Sequence, residues 1–244
     1  MNYLIIGYGK MGKAINEIAK KRGHHLVDII DNENDWIYKA ASIKIADVAF
    51  EFTQPKAAPT NILKCFSANI PVVCGTTGWL NEYDKIKEKC LKENQSLFIS
   101  SNFSIGVNIV MEINKQLAIL MNNFTEYDVK IQETHHIHKL DAPSGTAIML
   151  ANDIIKHITR KKAKNYGKSN NQELLNIESF RENEIIGIHN IIYESETDII
   201  ELKHTAKNRN GLAIGAVIAA EWLIGKKGIF QMYDLLGFGN KLIT

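Results

Sequence analysis

The sequence predicts an α/β protein with two sheets, the first parallel, the second open and solvated on one face. Three observations carry this. The chain begins strand, Gly7-Tyr-Gly-Lys-Met-Gly12, helix, strand, acid within about thirty residues. Strand-like and helix-like runs then alternate to about residue 103. Beyond that, the β-rich segments change to the two-residue alternation of a half-buried sheet.

Tyr3 to Ile6 reads as a short buried strand, with a helical pattern after Gly12 through Lys21. Leu26 to Ile30 is the second strand, and Asp31 ends it. The glycines allow a tight turn and close approach of a pyrophosphate to the helix N-terminus. Asp31 is placed to accept from the adenosine ribose hydroxyls. Gly7, Tyr8, Gly9, Lys10, Met11, Gly12 and Asp31 are therefore the first candidate cofactor residues. Ala46–Phe52, Pro71–Cys74 and Ser96–Ile99 read as further strands, and Ala57–Ala68 and Tyr83–Asn94 as helices. Strand C-termini in such sheets face the ligand crevice. Phe52 and Thr53, Gly75, Thr76 and Thr77, and Ser100, Ser101, Asn102 and Phe103 are thus expected along one groove.

Val107–Met121 reads as a long helix, and Tyr127–Ile131, Ile185–Tyr193 and Asp198–His204 as strands. Asn165–Asn176 reads as a polar loop and Arg160–Lys164 as a solvated basic helix end or loop. A last Ala-rich helix, Ala213–Ile224, is expected to pack back on the first domain. The boundaries fall at residues 1–103 with 210–244 for the dinucleotide-binding domain, and 104–209 for the second.

One polar stretch near the middle of the chain, Glu133-Thr-His-His-Ile-His-Lys-Leu-Asp-Ala-Pro-Ser-Gly-Thr146, lies between a β-branched run and a helix-like run, Ala147–Ile158. The turn before that helix leaves backbone N–H groups and a positive dipole end that suit an anion. His135, His136 and His138 belong to the residue type that titrates near neutral pH, and Lys139 adds a fixed charge. Three readings are open: a solvated loop, a zinc site, or an acid/base and anion site. Zinc fits poorly, because His135 and His136 point to opposite faces of an extended segment and no Cys is near. No metal is expected.

Composition narrows the function classes. The 244 residues are 45% hydrophobic, enough for a core, and the net charge of +2 gives no case for nucleic acid. No apolar run reaches the length of a membrane span, and no signal peptide is seen. Three Cys without CxxC spacing suggest reduced thiols and a cytoplasmic protein.

The stretch Glu133 to Ala147 resembles the signature of the dihydrodipicolinate reductase (4-hydroxy-tetrahydrodipicolinate reductase) family. Supporting motifs follow in order: Gly7 to Gly12, Glu51-Phe-Thr-Gln-Pro55, Gly75-Thr-Thr-Gly78, Asn102-Phe-Ser-Ile-Gly-Val-Asn108 and Ile214-Gly-Ala216. The resemblance implies a Rossmann-type parallel-sheet domain plus an α+β substrate and oligomerisation domain with a mixed open sheet. It implies reduction of a small cyclic dicarboxylate by NADH or NADPH to tetrahydrodipicolinate in the diaminopimelate route to lysine, and a homotetramer. His135 is then the expected proton donor, Lys139 the second catalytic group, and His136, Ser144, Gly145 and Thr146, with Lys139, the carboxylate binders. Ile137, Lys10, Asn183 and Leu212 depart from the family's usual residues. With no Arg or Lys directly beside Asp31, and Lys10 on the glycine loop the only obvious nearby cation, NADH is expected to serve at least as well as NADPH. Two alternatives are another Rossmann-fold dehydrogenase acting on an amino or imino acid, and a non-catalytic nucleotide sensor.

Overall fold

In the computed structural model the described residues are 1–208 and 210–239. They form two compact units, Met1–Ile105 with Asn210–Thr244, and Gly106–Arg209.

The first unit runs β1 (Asn2–Ile6), α1 (Lys10–Lys21), β2 (His25–Ile30), α2 (Asp35–Tyr38), α3 (Ala40–Ile43), β3 (Val48–Glu51), α4 (Ala58–Ser67), β4 (Val72–Cys74), α5 (Tyr83–Lys92) and β5 (Ser96–Ile99). The second unit is built from α6 (Ile105–Met121), β6 (Asp128–His135), α7 (Gly145–His157), β7 (Ala163–Tyr166), β8 (Leu174–Arg181), β9 (Gly187–Glu194) and β10 (Ile199–Ala206). The chain then returns to the first unit through α8 (Asn210–Leu223), β11 (Gly228–Phe230) and α9 (Met232–Leu235).

Six parallel strands in the order β11-β5-β4-β3-β1-β2 make the first sheet. Both faces are covered, which is why its strands are apolar throughout rather than alternating. On β1, Tyr3 and Ile5 enter one core with α1 and α8, while Leu4 and Ile6 enter the other with α4 and α5. The Ala-rich helix α8 packs in this unit, with Ala216, Ala220 and Leu223 in the core that holds Ile15 and Ala19 of α1. Each buried Ile or Leu side chain in this core contributes about 1.5–3 kcal/mol, and each Ala, a single methyl, less than that.

The second sheet has the order β10-β9-β6-β8-β7. Its central strand β6 pairs parallel with β8 and antiparallel with β9. Val129 and Ile131 point inward under α7, and the outward face carries polar cross-strand pairs such as Lys130 with Glu194 and Asn190 with Glu201. One solvated face is thus present.

Three readings of this region change. Strand β6 runs four residues past Ile131, to His135, because its inward positions switch from apolar to ionisable without leaving the strand. The polar segment 165–176 is not all loop: β7 ends within it and β8 begins within it. Their polar residues face outward or pair with each other, as Asn165 does with Asn176 at 2.9 Å. Arg160–Lys164 is not a solvated run either. Lys161 is 2% exposed, donates to the carbonyls of Gln172 (2.8 Å) and Leu174 (2.9 Å), and pairs with Asp128 at 2.6 Å.

Candidate active site

At the start of the first unit, β1 delivers the chain into the glycine turn. Gly7 has φ +90°, and a Cβ there would lie 2.4 Å from the Phe52 carbonyl oxygen. A Cβ on Gly12 would lie 2.2 Å from the Gly7 oxygen, so Gly12 lets α1 seat directly on the turn. Gly9, the N-cap of α1, faces open space and no side chain caps the helix. Backbone N–H groups and an uncapped dipole end therefore face a groove of about 440 Å³. These features fit a pyrophosphate.

Of the expected cofactor residues, Gly7, Tyr8, Gly9, Asp31, Phe52 and Thr53 line this groove. Asp31 sits beside the turn and accepts the Tyr8 N–H at 3.0 Å. Lys10, Met11, Gly12, Gly75, Thr76, Thr77 and Ser100 to Phe103 lie outside its lining. Several of these act behind it. The Thr76 hydroxyl oxygen accepts the Thr53 N–H at 2.8 Å, and Phe103 packs on Phe52 at 5.7 Å between ring centroids. Sequence reasoning did not assign Glu51, which is fully buried and accepts from the Thr53 hydroxyl and from Asn61. It holds two groove-lining side chains in place.

In the second unit, one face of β6 runs Val129, Ile131, Glu133, His135. The strand's two-residue period thus carries two ionisable groups from the core to the N-terminus of α7. Register supplies their neighbours: Glu133 pairs with His189 across β9, and His135 with Arg181 across β8. The Glu133 carboxylate is fully buried and accepts the Ser144 N–H through both oxygens, at 2.9 and 3.1 Å. Around it stand His135 Nδ1 at 3.5 Å, His189 Nε2 at 3.7 Å and Arg181 Nη2 at 3.5 Å. Ser144 N-caps α7 by accepting the Ala147 N–H, and its Oγ lies 3.1 Å from His189 Nε2. Gly145 and Thr146 form the first turn of that helix.

Burial opposes the charge on Glu133, but hydrogen bonds from Ser144 and the nearby His135 outweigh it and hold the carboxyl below its usual range. Burial also lowers His135, although Glu133 pulls the other way. His135 therefore titrates below the ordinary value of its residue type. Burial and the neighbouring His135 push His189 down to about 4. The free site thus holds an ionised carboxylate between two largely neutral imidazoles at neutral pH. Both Nδ1 atoms are buried without a hydrogen-bond partner, an arrangement uncommon in folded proteins and one that a catalytic role would explain.

The loop after β6 brings the remaining groups. Lys139 pairs with Asp141 at 2.6 Å, and Arg181 donates to the carbonyls of Lys139 (3.3 Å) and Asp141 (2.5 Å). His136 leaves the buried cluster and stands with His138, their ring centroids 6.0 Å apart. The trio His135, His136 and His138 is therefore split. Glu133, His135 and His189 do gather ligand atoms within 4.8 Å of one another. However, Ser144 N–H and Arg181 already address that carboxylate. Asn183 adopts φ 43°, a conformation Asn tolerates, so this departure keeps the β8–β9 turn. Ile137 is exposed, so it costs the core nothing.

Sequence reasoning missed Glu133, Arg181 and His189 as site residues. Signals existed for two: Glu133 heads the polar stretch, and His189 lies in phase with Ile191 and Tyr193, and so on the inward face of its strand.

The sequence matches the model of the "Dihydrodipicolinate reductase, N-terminus" family over residues 1–103 and that of the C-terminus over residues 106–236. The chain belongs to the dihydrodipicolinate reductase family. It is 46% identical over 236 residues to a 4-hydroxy-tetrahydrodipicolinate reductase of Christiangramia forsetii, covering 97% of this chain and 98% of that protein. It is 36% identical to the protein of the same name in Clostridium novyi, covering 95% and 96%. Among solved structures, a dipicolinate-bound dihydrodipicolinate reductase from Paenisporosarcina superposes with TM-score 0.79 at 22% identity, covering 96% of this chain and 98% of that one. An amine dehydrogenase from Mycobacterium smegmatis superposes with TM-score 0.58 at 10% identity over 95% of each chain. The last two likenesses are ones of fold.

Proposed function

We propose that this reductase-family chain converts 4-hydroxy-tetrahydrodipicolinate to tetrahydrodipicolinate, in the diaminopimelate route to lysine, with NADH or NADPH bound at the glycine turn. Family membership and the near full-length relatives support the reaction. The observation that carries the residue roles is the buried Glu133–His135–His189 cluster at the N-terminus of α7. The nicotinamide supplies a hydride when bound; the protein supplies a proton, positive charge and position.

His135 is the proton donor in this reading. Its pKa is held down in the free site, and a dicarboxylate beside it favours the charged imidazole. Substrate binding thus loads the acid. Lys139, His136 and the first turn of α7 at Ser144, Gly145 and Thr146 bind the substrate carboxylates. Lys139 exchanges its pairing with Asp141 for one with substrate. In the first unit, Gly7, Tyr8, Gly9, Lys10, Met11 and Gly12 cradle the pyrophosphate. Asp31 takes the ribose, and Phe52, Thr53, the Gly75–Thr77 turn and the Ser100–Phe103 turn shape the rest. Three buried free cysteines support a cytoplasmic setting. The exposed Ile199 and Ile200 of edge strand β10 support burial in an assembly such as the homotetramer implied by the family resemblance.

The test is turnover of enzymatically generated substrate by wild type and His135→Gln. The variant is expected to bind NADH normally and to lose roughly 10²–10⁴-fold in kcat. Undiminished turnover removes His135 from the chemistry. No turnover by folded wild type, with normal NADH binding, favours a dehydrogenase for another amino or imino acid.

A further inference from the structure

The groove at the glycine turn continues past Asp31 to Glu33 and Trp36, facing Asn61 of α4. Lys64, three residues after Asn61 on α4, pairs with Glu33, and its ammonium sits 5.1 Å from the Trp36 ring centroid. Lys39 is committed elsewhere, to Asp28 (3.3 Å), Asp35 (3.1 Å) and the Ile29 carbonyl (2.5 Å). The reduction chemistry uses none of these groups. Asp31 marks the ribose position, so groups beyond it meet the adenosine end. An indole face stacks on a base, whichever base it is. Neither Lys64 nor Lys10 belongs to the groove lining, but Lys64, distant in sequence, contacts two lining residues, Glu33 and Trp36.

We infer that Trp36 is the stacking wall for the adenine, and that the Glu33–Lys64 pair sets the choice between NADH and NADPH. This rests on the proposal that the groove takes a nicotinamide dinucleotide. Glu33 neutralises Lys64, so the pair offers no net positive charge where a 2′-phosphate would arrive, and Asp31 stands there as a negative one. A ribose with a free 2′-hydroxyl meets no such repulsion. Removing the Glu33 charge releases Lys64 to the phosphate.

The experiment is calorimetric titration of the full-length protein with 5′-AMP and 2′,5′-ADP, which differ by the 2′-phosphate alone. Wild type is expected to bind 5′-AMP at least as tightly as 2′,5′-ADP. Glu33→Gln tightens 2′,5′-ADP about threefold or more and leaves 5′-AMP within about twofold, a gain typical of one exposed charge. Adding Lys64→Met to Glu33→Gln abolishes the gain. Trp36→Ala weakens both nucleotides about fivefold or more, and Trp36→Phe restores most of the loss by keeping an aromatic face. Thermal melts of each variant separate binding from folding. An unchanged 2′,5′-ADP to 5′-AMP ratio in Glu33→Gln overturns the selectivity role. Equal binding by a folded Trp36→Ala overturns the stacking role. If folded wild type binds neither nucleotide nor NADH, the cofactor reading itself falls, and this inference falls with it.

Discussion

Replacing Glu133 with Gln keeps the side chain's shape and removes its charge. In the structure His135 Nδ1 lies 3.5 Å from that carboxylate. At such a separation, with an effective dielectric near 20, the attraction is about 4 kcal/mol. The same carboxylate is what pulls His135 upward against its burial. Without it, Arg181, 3.5 Å from the vacated charge, is left to oppose the imidazolium unbalanced. His135 must then hold its proton less well, by up to about 10³ in the protonated fraction at neutral pH. The expected result is a kcat loss of about 10²-fold or more. The limb on which activity falls with rising pH should also move to lower pH by about one unit or more. Measured kcat from about pH 5.5 to about 9 reports this directly. Glu133→Asp keeps the charge and should keep most of the profile. A Glu133→Gln enzyme with a lower melting temperature but an unmoved profile would show that the carboxylate only braces the Ser144 turn, and the argument would be wrong.

The other expectations follow from the same groups. Lys139→Ala should weaken substrate binding and turnover together, by on the order of 2–5 kcal/mol in kcat/KM, since it removes a cation from a dianion site; unchanged constants would leave Lys139 structural. His189 titrates near 4 in the fold against an ordinary 6.5. The native state therefore binds fewer protons than the unfolded chain below pH 6.5. Stability is full above that value and falls as pH drops towards 4, by up to about 3 kcal/mol. Denaturant melts at several pH values check this, and His189→Asn should flatten the loss; an equal loss in the variant refutes it. Activity should survive chelators, with no stoichiometric zinc in the purified protein by elemental analysis, because Arg181 and the Ser144 N–H already occupy the Glu133 carboxylate.

Much of this protein was legible without coordinates. The alternation of strand-like and helix-like runs up to residue 103 announced a parallel sheet, whose strands β1, β3, β4 and β5 are buried on both faces. The glycine spacing and Asp31 announced the turn, since only a residue without a side chain tolerates the approaches at Gly7 and Gly12. The Glu133–Thr146 stretch announced chemistry through its density of ionisable groups. What the sequence alone did not decide was set by pairings between distant segments. Strand β6 read as ending at Ile131, because inward Glu133 and His135 look like loop residues until a partner strand supplies their counterparts. His189 and Arg181 belong to the cluster only through the register of β9 and β8 against β6. Lys161 looked solvated until the Gln172 and Leu174 carbonyls and Asp128 folded around it. Lys64 meets the groove residues Glu33 and Trp36 through tertiary packing, not through proximity in the chain. Local pattern records which way a side chain points; which charge waits on the other side is a property of tertiary contacts, and those contacts set the ionisation of His135 and His189.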